Sequence, residues 1–388
     1  MVELPLRFPE LKTLQDVLPP NVLNQRENSA ASVSRLEGHL DYLARIDVLL
    51  DYGSSLYGLS YQDDSNKSLD EELLICLVDT AFFYREVSLD VMQGAYGSER
   101  TDGAWSTGGS YLRKGLGLLQ FTLNWLLSSA AINDKPSMCS LVEDMMAELR
   151  LLQQIGIVVL SLSKLRTKMY KDQRDAVLDF QEEHLKELAT NSVLYAKLVI
   201  GCLDTALKCN RSTIINDSLF AYLNSLSFLL LSLDEYNKDE TGVAIGMVER
   251  SIDYISKIVD KSQLNDPLLS RNRKRDKLKN VLQKKPFKHG TASSAIPWIR
   301  KDKDQHLLPL LRETLNDFLL PLIFLLRYRY RQTNDKVNYK LVEDGESNLR
   351  KLFPRGKAPD VQFENWSFDK RSCKLAPKPE SNSGGGYY

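Results

Sequence analysis

Apolar residues recur at helical spacing along almost the whole chain. Between Ala30 and Leu59, Val33, Leu36, Leu40, Leu43 and Leu50 are separated by three, four or multiples of those steps. Leu69 to Met92 repeats the pattern, with Leu73, Leu77, Ala81, Tyr84 and Val91 near one face. The stretch Gly94 to Ser110 carries five glycines and predicts a loop. Further helices are predicted over Tyr111–Ala131, Ser137–Tyr170, Lys171–Cys209, Thr213–Tyr236, Thr241–Lys261 and Gln305–Arg331. In the last of these Pro309 suits a first turn, whereas Pro321 lies well inside and should kink the helix. No stretch alternates apolar and polar residues as a buried strand would, although Leu4–Val17 could form a short β element. Long helices joined by short loops make antiparallel hairpins, so the expected fold is all-α, a solenoid-like stack or bundle. The tetratricopeptide consensus does not recur at a fixed period.

Composition narrows the setting. The 388 residues are 43% hydrophobic and 26% charged, within the globular range. Lys plus Arg equals Asp plus Glu at 51 each, which argues against a surface that binds nucleic acid all over. No basic stretch leads into an apolar run at the start, and the longest apolar run, Phe318–Leu326, is nine residues long and interrupted by Pro321. A membrane-spanning helix needs about twenty. The five cysteines (76, 139, 202, 209 and 373) are an odd number without a CxxC. That usage suits a reducing compartment, and the chain is expected to be cytoplasmic.

Enzymatic signatures are missing. His39, His184, His289 and His306 are far apart and form no HExxH. Gly115-Leu-Gly117 follows no strand and lacks a third glycine, Ser161-Leu-Ser-Lys164 lacks its companion motifs, and no phosphate-binding GxxxxGK[ST] occurs. The expectation is therefore a non-enzymatic protein without metal or cofactor.

Charge is uneven on a smaller scale. Between Arg271 and Lys288, the nine basic residues Arg271, Arg273, Lys274, Arg275, Lys277, Lys279, Lys284, Lys285 and Lys288 face one acid, Asp276. The segment carries +8 and the remainder −8. A solvated loop between helices is one reading; the other is attachment to an anionic membrane, at about 1 kcal/mol per basic residue near the headgroups. With one aromatic, Phe287, and no recognition motif, nucleic acid is not the expected partner. Arg327-Tyr-Arg-Tyr-Arg331 reads as a helix end, its tyrosines inward and its arginines near the C-terminal dipole. Leu151–Leu160 is apolar on more than one face, as a buried helix or a groove for an amphipathic partner helix would be.

Several segments, in order, resemble the BRO-type domain family. Leu149–Leu162 is similar to the family's L-x-L-A-Q-A-Q-E helix, with Gly156 in place of the glutamate. Leu185–Asn191, running on to Tyr195, resembles the next helix, and Leu118–Leu127 the L-F-N-x-A-A-L helix with Phe121 for its asparagine. Gly242–Arg250 looks like a G-x-x-I-A-x-L turn, and Asn334-Asp335 with Tyr339 and Val342, then Phe353–Ala358, like the extended closing segment. The matches span Leu36 to Ala358, and with no coiled-coil arm or Pro-rich adaptor tail they point to the fungal PalC-like branch.

The resemblance implies a banana-shaped helical domain over residues 1–358, followed by a polar tail, 359–388, expected to be disordered. It also implies an adaptor that binds the C-terminal amphipathic helix of an ESCRT-III filament subunit, in alkaline-pH signalling at the plasma membrane or endosome. Carried over by position, the binding patch comprises Val158 and Leu188, with His184 one turn before Leu188. That assignment requires the side chains at 158 and 188 to be exposed. The alternative is a peripheral membrane protein acting mainly through 271–288.

Overall fold

The computed structural model describes residues 5–9, 18–34, 41–60, 67–96, 102–128, 134–170, 182–209, 212, 214–259 and 307–368. Among these residues the chain is all-α, without strands. The β element expected at Leu4–Val17 does not form over 5–9, and 10–17 lie outside the described residues. The helices are α1 Pro20–Ser34, α2 Tyr42–Ser60, α3 Lys67–Tyr96, α4 Asp102–Ser128, α5 Lys135–Tyr170, α6 Glu182–Ala189, α7 Ser192–Ala206, α8 Asp217–Asn237 and α9 Thr241–Ile255. After residues outside the description come α10 Pro309–Thr314, a π-turn Leu315–Leu319, α11 Leu320–Thr333, a second π-turn Asn334–Asn338, and α12 Glu346–Lys351.

The chain divides into two units, each drawing on distant parts of the sequence. The first takes residues up to Met92, then Asp102–Arg150, then Gln362 onward; the second takes Gln93–Thr101 and Leu151–Val361. In the second unit, α8 is buried on all sides, from Leu219 through Phe228 to Tyr236, and packs against α6, α7 and α9. A helix apolar all round belongs in the middle of a stack. Asn216 caps its start, its side chain accepting from the Leu219 N–H at 3.0 Å.

Four expectations need correction. Asp102–Ser110 is helical, and there, as farther along the same helix, glycine allows close packing rather than making a loop. A side chain on Gly108 would meet Met92, one on Gly115 would meet Leu149, and the Ser88 hydroxyl donates to the Gly108 carbonyl at 2.8 Å. The helix expected over 171–209 is broken at Thr190-Asn191, where Asn191 takes a left-handed conformation (φ 72°) that asparagine tolerates better than most residues. In the first helical region the core face is Ile46, Leu49, Tyr52 and Leu56, whereas Leu43 is exposed and Leu50 half-buried; Leu36 and Leu40 lie outside the described residues. Finally, the first residues of the tail assigned to 359–388 are packed: Phe368 is buried, and its ring and that of Trp366 pack on Phe121, while 369–388 lie outside the described residues.

Pro321 is absorbed by the π-turn just before it. The Leu320 N–H reaches back to the Leu315 carbonyl, a wider register than the α-helical one. Proline has no N–H to give the α-helical register at that point. Asp317, in this turn, accepts from the Tyr96 hydroxyl at 2.7 Å and pairs with Arg166 at 2.8 Å. Burial nevertheless holds its carboxyl above the ordinary range.

Candidate partner-binding surfaces

The predicted patch does not reach the surface. Val158 is 2% and Leu188 1% exposed, so both are interhelical packing residues; His184 is half-buried. The error is one of helical phase. Successive residues turn by about 100°, so Ile157, just before Val158, lies toward the flank of the helix, while Val159 after it is also buried. The outward stripe of α5 beyond Arg150 is instead Gln153, Ile157, Leu160 and Ser161, all half-exposed, ending at exposed Lys164. By length and composition α5 could cross a membrane, but 67% of its most apolar window is buried here. The nine basic residues of 271–288 lie outside the described residues.

A second surface is built by the extended segment that follows α11. It starts from Asn334, whose side chain works as a clamp. Its Oδ1 accepts from the Lys340 N–H at 3.0 Å and the Thr241 hydroxyl at 2.8 Å, while its Nδ2 donates to the Lys340 carbonyl at 2.9 Å. The chain then lies directly on α9. A Cβ at Gly242 would stand on the Leu341 carbonyl, and one at Gly246 on the Glu343 carbonyl. Farther along, a Cβ at Gly201 would run into the backbone of Lys357 and Ala358, where the Lys357 N–H donates to the Lys197 carbonyl at 2.9 Å. In the first unit, Gly117 meets the Glu364 carbonyl in the same way. Each glycine is needed because no side chain fits between helix and strap. The outward side of the strap is apolar at Val337 (68% exposed), Tyr339 (75%) and Leu341 (95%).

Ionic and aromatic contacts hold the strap's short helix. Arg350, on α12, donates to Glu346 at 2.7 Å, to the Tyr254 hydroxyl at 2.6 Å and to Asn224 at 3.0 Å, with its guanidinium over the Phe228, Tyr254 and Phe353 rings. These partners bring the Glu346 carboxyl below its ordinary range, although burial opposes them. In the tyrosine-arginine run, Tyr330 is fully buried but Tyr328 is 37% exposed. Arg327 and Arg331 both bind Glu249 on α9, a partner the sequence reading missed. In the first unit, Phe121 occupies the centre of a cluster with Tyr57, Trp366 and Phe368. An aromatic at 121 and three more near the two ends of this unit are the signal that could have found it.

The described residues form no group of three or more His, Cys, Asp or Glu side chains able to hold a metal. Residues 67–388 match the profile of a family described as a family of unknown function, DUF5355. The chain is also similar to the uncharacterized protein YGR122W of Saccharomyces cerevisiae, with 35% identity over 400 residues covering 100% of this chain and 98% of that protein. No solved structure matches. A family match over most of the chain and a full-length fungal relative agree, and the chain belongs to the family of unknown function DUF5355.

Proposed function

We propose that this protein is a non-enzymatic adaptor that docks the C-terminal amphipathic helix of an ESCRT-III filament subunit, in alkaline-pH signalling at the plasma membrane or endosome. The observation that carries the reading is the outward stripe of α5, where Ile157 and Leu160 keep apolar surface in solvent beside Ser161 and Lys164. An amphipathic helix offers anchors at i, i+3, i+4 and i+7, which match a stripe of that spacing. The ordered segment resemblances support the partner's class, and the extended strap after α11 lies where the resemblance expects a closing segment. A full-length fungal relative is in keeping with a fungal branch.

The test is a pull-down with the filament subunit's C-terminal helix. Ile157→Asp with Leu160→Asp is expected to weaken capture at least about tenfold while circular dichroism and the melting temperature stay near wild type. Undiminished capture by this folded double variant would remove α5 as the docking surface. Val158→Ala serves as the contrast: it should cost about 2 kcal/mol of stability through the cavity it leaves, and should not alter capture.

A further inference from the structure

The N-terminal segment Pro5–Pro9 is held against the first unit at three points. Arg26 Nη2 donates to the Pro9 carbonyl at 2.7 Å, the Phe8 ring sits 6.3 Å from that of Tyr52, and the Leu6 backbone faces Asp79. Two carboxylates of α3, Glu72 and Asp79, stand behind this segment, and their seven-residue spacing puts them on one face of the helix.

Their surroundings differ sharply. Glu72 accepts from Arg26 at 2.9 and 2.7 Å and from the Tyr52 hydroxyl at 2.7 Å, so its charge is balanced and its oxygens are used. Asp79 is fully buried, and neither of its oxygens completes a hydrogen bond. Among the described residues, the groups around it give little compensation. On α3, Glu72 and Cys76 are themselves acids; on α1, Arg26 is committed to Glu72; on α2, the Tyr52 hydroxyl is committed to Glu72; and the strap contributes the Leu6 backbone. An ionised carboxylate cannot persist in such a place without a partner.

We propose that Pro5–Pro9 is a proton-latched strap: it lies closed on α1–α3 while Asp79 is protonated, and it lifts when Asp79 ionises. Burial pushes the Asp79 carboxyl up to about 8 in the closed form, and the Leu6 backbone eases that rise only partly. In the lifted form the carboxyl meets water and titrates near the ordinary value of about 4. Between these two values the lifted form binds fewer protons than the closed form. The closed form is therefore fully favoured below about pH 4 and loses its advantage as pH rises toward about 8, with the opening equilibrium growing about tenfold per pH unit; above about 8 the effect levels off. Lifting also uncovers the Tyr52 side of α2.

Hydrogen exchange of the Leu6, Arg7 and Phe8 amides, corrected for intrinsic rates, tests the latch. In the full-length protein, protection should fall about tenfold per pH unit between about pH 6 and 7.5 and flatten above about 8.5. In Asp79→Asn, which keeps shape without a titrating proton, it should not change with pH. Protection independent of pH in the wild type, or the same pH dependence in both proteins, would overturn the proposal. Should Asp79→Asn not fold, infrared spectroscopy of carbon-13-aspartate-labelled wild type decides. A buried protonated carboxyl band present at about pH 6 and lost by about pH 9.5 supports the latch, and its absence at about pH 6 sinks it.

Discussion

Gly242→Val is expected to lower stability by about 3 kcal/mol, the upper end of what overpacking costs, and to free the strap beyond Asn334. The new side chain would occupy the place of the Leu341 carbonyl, which is backbone and cannot rotate aside as a side chain could. Helix α9 is anchored on α8 and α11, so the strap is the element that gives way. Hydrogen exchange should then show lost protection at the Lys340 and Glu343 amides, which the wild type secures on Asn334 and on the Gly242 carbonyl. Gly246→Val should act alike through Glu343. By contrast, Gly94→Ala meets nothing within 4 Å and should be neutral or stabilising by up to about 1 kcal/mol, since alanine is the better helix former. Unchanged protection in Gly242→Val would mean that the strap is not seated on α9.

Arg26→Ala is the second large effect. It strands Glu72, which is fully buried, with the Tyr52 hydroxyl as its remaining hydrogen-bond donor among the described residues. Breaking a buried ion pair from one side costs about 3–5 kcal/mol, because the orphaned charge keeps its full desolvation penalty. Replacing both partners by apolar residues, Arg26→Met with Glu72→Leu, should recover most of that loss. Denaturant titration of the two variants checks the pair: a loss under about 1 kcal/mol in Arg26→Ala would show that the charge finds water. The same substitution removes the donor to Pro9, so the segment Pro5–Pro9 should lose protection with it.

Which residues are helical was largely legible, because a 3.6-residue apolar period survives many substitutions. Which side faces in was less so. Leu43 and Leu50 looked like core at the sequence level, yet Ile46 and Leu49 are the buried pair. In a helix this rich in leucine several phases fit the same letters. The same ambiguity put the buried Val158 in the candidate patch, although its neighbour Ile157 is the half-exposed one. Glycine was the other source of error. At Gly108, read as loop, it reports a neighbouring helix pressed close, and at Gly242 and Gly246 it reports a strap more than ninety residues away in sequence. Single-sequence reasoning has no means of seeing the second partner in such a contact. The start of the tail, 359–368, shows a related blind spot. Its composition is polar, but Trp366 and Phe368 are enough to seat it on Phe121 and Tyr57.

The unit that opens with α1–α4 is completed by residues 362–368, and that has a consequence for how the protein is made. Residues 362–368 belong with α1–α4, but they are synthesised about 210 residues after Arg150. At about 5–20 residues per second, roughly 10–40 s pass before they exist. Throughout that interval a nascent chain presents the aromatic face of Tyr57 and Phe121 without Trp366 and Phe368 to cover it. The first unit cannot mature domain by domain behind the ribosome; it waits for residues 362–368. An early stop anywhere before residue 362 should therefore damage the half of the molecule made first, and leave its product exposed to chaperones and proteases that read bare aromatic surface.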